Sequence, residues 1–337
     1  MNWRGLILTV VALGLILADV AAIASEDGDL LERPGTGHGP TQVRTSLYVF
    51  DVTSIDGASG SFTANFLLRS RWEDERLSSP GSRLATDEIW YPRLGILNER
   101  NAKSSLGGYI QVLKDGTAQL TQRYQGTFSS DYDFRQFPFD QQDLALTIFS
   151  ATAGTEELEL QFDSSGSIEN LSVSGWTLKV QGGEASVYDT SMSGESLEHI
   201  QRSRLDFSIN AKRNVEYYRW KVLLPLSIVV FLSWAVFMIN PQQIAPQIGV
   251  SATSILTLIA FLIRLEGLLP PVSYLTHLDK FVYLSLLLVF LAYVEALATS
   301  KLAARDATLP LAVAMDKWSR LLFPIAYVVI VYVFWTT

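Results

Sequence analysis

Cysteine is absent from the 337 residues, and histidine occurs only three times. Without cysteine there is no disulfide, no thiolate nucleophile and no Cys-based zinc site, so an exported domain has to be held by core burial. The histidines do not fall in a His-Glu-x-x-His spacing, and neither a Gly-x-Ser-x-Gly turn nor a Gly-Lys-Ser/Thr phosphate loop occurs. The Gly-rich "PGTGHGP" stands in a polar arm, not between a strand and a helix. No enzyme, metal site or cofactor is therefore expected. Basic charge is also scarce: 34 Asp and Glu exceed 26 Lys and Arg, for a formal net charge of -8. From Glu26 to Glu216 there are 28 acidic residues against 17 basic ones. Such a surface does not displace counterions from nucleic acid and attracts cations. A merely solubilising surface has the same composition.

Charge is missing altogether from four runs, Val222–Ile239, Ile244–Ile263, Phe281–Val294 and Leu321–Thr337. The first two are long enough to cross a hydrocarbon core of roughly 30 Å as helices, and the other two suffice with their polar flanks at the interface. Near the N-terminus, Arg4 precedes the apolar run Gly5–Leu17, and Ala22-Ile23-Ala24 offers small residues for cleavage. This is the pattern of a secretory signal peptide at 1–24, with cleavage after Ala24, and an uncleaved anchor is the alternative. Residues 25–42 read as a flexible arm or a terminal helix. From 43 to 215, short alternating segments such as "SFTANFLLRSRW", "LALTIF" and "RLDFSIN" are broken by Gly, Asp, Asn and Ser, as in a β-sandwich. Residues 216–337 read as a membrane domain of four helices at about 219–239, 244–266, 279–299 and 313–336, with a short cytoplasmic linker at Thr299–Leu311. The expected fold is an extracellular all-β sandwich on a four-helix transmembrane domain, multi-pass in the cell (inner) membrane. The sandwich and the C-terminus then lie outside, and Lys301, Arg305, Lys317 and Arg320 fall near the cytoplasmic side.

The second run has an internal pattern. Gly249, Thr253, Leu256, Ala260, Ile263 and Gly267 recur at alternating steps of four and three, on one helical stripe. Small and hydroxyl groups come first and bulky apolar ones later, with Ser251, Ser254 and Thr257 adding polarity at the sides. Several copies around an axis would enclose a narrow aqueous path, with Thr253 replacing ion hydration and Leu256 and Ile263 forming a ring that dewets and closes. A helix–helix seam in a membrane uses the same residue types.

The loop "FRQFPFDQQD" puts apolar rings among charges. Its core Phe137-Pro138-Phe139-Asp140-Gln141 resembles the signature loop of the pentameric ligand-gated ion channels, the Cys-loop receptors and their prokaryotic relatives, with Ser130 and Leu144 where the bracketing cysteines would stand. Trp72-Glu73-Asp74-Glu75-Arg76-Leu77, Trp90-Tyr91-Pro92 followed by Asn98, Lys212-Arg213, Leu224-Pro225, Ser233-Trp234 and "LPPVSYLTHLD" are similar to further family motifs, in the same order. The resemblance spans nearly all of the chain after the signal peptide and implies a homopentameric channel in the lipid bilayer, gated by a small-molecule agonist or protons.

It also implies a coupling site. Phe137 and Phe139, flanking Pro138, would press toward Leu269, Pro270, Pro271, Val272 and Tyr274, and Asp140 would accept from Arg213. The usual selectivity signals at the inner mouth are replaced by Ile244-Ala245-Pro246-Gln247. Glu266 is then the candidate for an outer acidic ring, with Arg264 beside it, and the balance favours cations. The aromatic cage of amine receptors is missing, since its positions fall on Leu67, Leu97 and Ala151. Tyr188, in the hairpin Val187–His199, with Trp72 and Asn98, remains as a possible ligand site. His277 is a possible pH sensor, because imidazole titrates near neutrality. The competing reading is a membrane-anchored recognition or adhesion module without a pore.

Overall fold

A computed structural model of the chain describes residues 30–35, 39–77, 79–105, 107–167, 171–190, 200–267 and 269–336. The signal-peptide segment 1–24, the first residues of the arm and residues 191–199 of the hairpin lie outside the described residues. Residues 30–35, expected as a flexible arm, are pinned: Trp90 N donates to Leu30 O at 2.8 Å, and Thr41 Oγ1 to Pro34 O at 3.0 Å.

Alternation of inward and outward residues, interrupted by bulges in β1, makes the long strands. In β1 (Thr41–Asp56) and β2 (Ser61–Glu73) the residues Val43, Leu47, Val49, Phe62, Phe66, Leu68 and Trp72 point inward and are almost wholly buried. The short β3 (Arg83–Ala85), β4 (Leu94–Ile96), β5 (Glu99–Ser104) and β6 (Tyr109–Val112) precede β7 (Thr117–Ser129) and β8 (Gln141–Ser150). After these come β9 (Leu158–Ser167), β10 (Ser172–Val173), β11 (Trp176–Thr190) and β12 (Ile200–Arg213). One sheet runs β3-β6-β7-β2-β1-β9, with β5 also pairing β7, and the facing sheet runs β10-β11-β12-β8-β4. Gly126 permits the β5–β7 pairing, since a Cβ there would stand 2.3 Å from Asn101 O. Between the sheets, Phe66 packs on Tyr124 and Phe128 at ring separations of 5.6 and 5.5 Å.

Four helices follow: α1 (Glu216–Met238), α2 (Ile244–Glu266), α3 (His277–Ala303) and α4 (Leu309–Thr336), of 23, 23, 27 and 28 residues. At about 1.5 Å per residue each exceeds a bilayer core of roughly 30 Å. The opening turn of α1 is widened at Arg219–Leu223, just before Pro225 removes an N–H from the ladder. The third and fourth helices are longer than the sequence suggests. Thr276 caps α3 by accepting from Asp279 N at 3.1 Å, while the Asp279 carboxylate accepts from Thr276 N at 2.9 Å. The linker expected at Thr299–Leu311 narrows to residues 304–308, because both helices continue into it. Inside the bundle Leu226, Val230, Leu258, Val282 and Val289 are fully buried, and Tyr327 Oη donates to Ser227 Oγ at 2.7 Å.

Candidate functional site

Strand register builds the junction between the two domains. β12 pairs with β8 through Lys212 opposite Gln141, and with β11 through Arg213 opposite Trp176. Arg213 therefore ends its strand beside Asp140, just before α1 begins. Its Nε and Nη2 donate to the two carboxylate oxygens of Asp140 at 2.6 and 2.9 Å, a bidentate geometry that fixes orientation as well as charge. Asp140 is 2% exposed, and Gln142 Nε2 supplies a further donor at 2.6 Å. The guanidinium lies 4.1 Å from the Trp176 ring centre and 4.8 Å from that of Phe137.

The signature loop is held from both sides. Phe137, 2% exposed, meets Tyr218 of α1 edge-on at 5.0 Å. Phe139 reaches His277 at the start of α3 and Phe334 and Trp335 at the end of α4, at 5.8, 5.2 and 5.3 Å. Leu269, Val272 and Tyr274 of the link between α2 and α3 belong to the same apolar cluster as both phenylalanines, and the ring partners on α1 and α4 add surfaces the sequence did not indicate. Of that link, Pro271 is exposed and Pro270 half-buried, while Tyr274 Oη accepts from Phe134 N at 3.0 Å. The loop backbone also joins α3 directly, because Arg135 O accepts from His277 N at 2.9 Å and Phe137 O from Leu278 N at 3.0 Å. Phe137 and Pro138 are joined by a cis peptide bond. From above, the β1–β2 turn closes on the loop, and a Cβ on Gly57 would meet Phe134 at 3.3 Å. Asp56 in that turn has its carboxyl held below the usual range, chiefly by the Ser59 hydroxyl. What it contributes is present above the ordinary carboxylate range and is lost only as pH falls through its lowered value, so this turn does not titrate near neutrality.

His277 is tied in rather than free in a link. Its Nε2 lies 2.8 Å from Phe334 O, a contact that suits the tautomer protonated at Nε2, and its ring stacks on Phe334 at 4.8 Å. Asp279, two residues on, is occupied with the Thr276 cap.

On α2, Gln247, Ser251, Ser254, Leu258 and Leu265 are buried against the other helices. Ser251 and Ser254, expected at the sides of the stripe, thus point into the subunit. Gln247 is also turned inward, its Oε1 accepting from Ser300 Oγ at 2.8 Å. The opposite face carries Gly249, Thr253, Leu256, Ala260, Ile263 and Gly267, all exposed, with Leu256 at 67% and Ile263 at 66%. Thr253 Oγ1 donates to Gly249 O at 2.8 Å, leaving its lone pairs outward. Arg264 and Glu266 are exposed at the end of the same helix.

The three residues of the possible ligand site do not converge. Trp72 is 1% exposed, edge-on to Trp90 at 6.0 Å in the sandwich core. Asn98 is a brace: its Nδ2 donates to Ser129 O and Ala145 O, both at 2.7 Å, and its Oδ1 accepts from Thr147 N at 3.2 Å. Asn98→Ala is expected to cost about 2–3 kcal/mol through these orphaned groups, read as a lower melting temperature with agonist potency unchanged. Tyr188, outside the core, has its ring 6.4 Å from Phe149. Phe149 escaped the sequence reading because β8 had no fixed register. The pairing of Phe149 with Arg204 and of Tyr188 with Arg202 puts both rings on one stretch of sheet.

Comparison with known proteins follows the same division. A family model described as the neurotransmitter-gated ion-channel ligand binding domain matches residues 25–215, and one described as the neurotransmitter-gated ion-channel transmembrane region matches residues 222–309. The chain is similar to a proton-gated ion channel of Gloeobacter violaceus, 27% identical over 303 residues, covering 87% of this chain and 82% of that protein. It is also similar to the gamma-aminobutyric acid receptor subunit rho-3 of Homo sapiens, 26% identical over 293 residues and covering 82% of this chain. The rho-1 subunit of Mus musculus is 25% identical over the same length. The chain spans 62% and 60% of those two subunits.

Proposed function

The chain belongs to the neurotransmitter-gated ion-channel family, and from that premise we propose that five copies form a channel whose pore is lined by α2. It is a multi-pass membrane protein of a ligand-gated channel family, not an enzyme. The observation that carries the pore reading is the exposure of every residue of the Gly249–Gly267 stripe while the reverse face of α2 is buried. The lipid-type surfaces of α1, α3 and α4 present Phe231, Leu232, Leu287, Leu291, Val328 and Val329. Gly, Thr and Ala among the exposed residues of α2 suit neither lipid nor an orphaned surface, but they do suit an axis shared with four copies.

In this reading Leu256, with Ile263 two turns beyond, closes the path by dewetting, and Glu266 adds negative charge at the outer mouth. The acidic extracellular half supports cation conduction. An agonist shifts a closed–open equilibrium through differential affinity for the two states. The shift is carried by Asp140 and Arg213 to α1, and by Phe137 and Phe139 to α1, α3 and α4. Protons and gamma-aminobutyric acid are the agonists that the relatives' names favour. The extracytoplasmic placement of the sandwich in the inner membrane follows from the signal-peptide reading. Reconstitution in planar bilayers tests all of this. Discrete conductances evoked by acid or by a small amine, with reversal potentials that follow the cation gradient, are expected. A silent membrane across the whole panel contradicts the channel reading, and reversal at the anion potential contradicts cation selectivity.

A further inference from the structure

Three carboxylate oxygens inside the helix bundle have no hydrogen-bond donor: Oε2 of Glu295 on α3 and both Oδ atoms of Asp316 on α4. Asp316 is 1% exposed. The remaining Glu295 oxygen, Oε1, accepts from Ser319 Oγ at 3.1 Å, and the two acid side chains lie within hydrogen-bonding reach of each other. Arg320, one turn beyond Asp316, is the cation facing the pair and offsets part of its charge, while its Nε donates to Phe237 O at 2.7 Å. Lys317 is exposed, and α1 offers no titratable group between Ser227 and Ile239. Thr299, beside Glu295 on α3, turns its hydroxyl to the carbonyls of Glu295 and Ala296, at 3.1 and 3.2 Å, and lies near Asp316 without a well-formed bond to it.

Two touching carboxylates away from water cannot both stay ionised, and buried acceptors without donors cost free energy. A single proton removes both difficulties, because one carboxyl then donates to an orphaned oxygen of the other. Among the described residues no third His, Asp or Glu joins them, so the donor set falls short of the six or more oxygens of a calcium site or the octahedron of magnesium. We propose that Glu295 and Asp316 form an intramembrane proton-binding site, one shared proton latching α4 to α3. In the unfolded chain both side chains are solvated and ionised at neutral pH. The native state thus holds one proton more, and stability falls as pH rises from the ordinary carboxylate range up to the point where that proton leaves.

Infrared difference spectroscopy on the full chain in lipid tests the site. A protonated-carboxyl stretch, shifted by deuteration, is expected at neutral pH, lost on alkalinisation and missing from Glu295→Gln and Asp316→Asn. No such band in the wild type, or one that survives both substitutions, overturns the proposal. In thermal unfolding, Asp316→Asn should remove a pH dependence of up to about tenfold in the unfolding constant per pH unit between the ordinary carboxylate range and the pH at which the shared proton leaves, and equal slopes in variant and wild type also overturn it. Neither readout needs current, so the site stands or falls separately from the channel reading.

Discussion

Arg213→Gln is expected to abolish the response to agonist while leaving the sandwich folded. The substitution removes both charge-assisted bonds to Asp140 and leaves that carboxylate 2% exposed with Gln142 as its remaining side-chain donor. Breaking a buried pair from one side costs about 3–5 kcal/mol. Here the cost falls at the strand end that leads into α1, not in the middle of a sheet. It also empties the space between Trp176 and Phe137, so the loop loses a wall as well as a charge. The neutral double variant Asp140→Asn/Arg213→Gln should be less damaging than either single change, since no charge is then stranded. Currents and the pentamer fraction on size exclusion measure both. Wild-type responses in Arg213→Gln would remove this pair from the coupling path.

Leu256→Ser should move the equilibrium toward the open state at little cost in folding. The side chain is 67% exposed within its own subunit, so little packing is lost. Burying a leucine fully is worth about 1.5–3 kcal/mol. If pore closure recovers even a quarter of that at each of five positions, losing it shifts the equilibrium by more than about 1.4 kcal/mol, which is over tenfold. Spontaneous current and a lower agonist requirement are the readouts. The same change at Leu258, buried on the opposite face, should instead cost stability.

Much of the architecture was legible because its signals are periodic or compositional. The charge-free runs mark membrane helices regardless of partner, and alternation marks the strands. The signature loop was recognisable as an apolar hook, and its acidic residue as the partner of Arg213. What could not be read was the identity of the surfaces that receive the hook. Phe139 ends among His277, Phe334 and Trp335 because α3 and α4 bring residues 57 positions apart to one corner. No local pattern encodes that. The Thr276–Asp279 capping box was available in "THLD", and it would have started α3 two residues earlier. Ser254 misled because a hydroxyl that bonds within the helix, as it does to Val250 O at 3.0 Å, is as content inside the bundle as beside water, whereas Ser251 is buried with no hydrogen-bond partner for its hydroxyl. Trp72 and Asn98 look like binding residues by type, yet one fills the core and the other ties three backbone groups.

The absence of cysteine makes the pore face directly measurable, since single cysteines placed along α2 are the chain's only thiols. A charged, water-soluble thiol reagent should block current through channels carrying cysteine at Gly249, Thr253, Leu256, Ala260 or Ile263, and spare those at Ser251, Ser254, Leu258 and Leu265. Equal reactivity around the helix, or reaction confined to the second set, would contradict a five-fold aqueous path lined by this stripe.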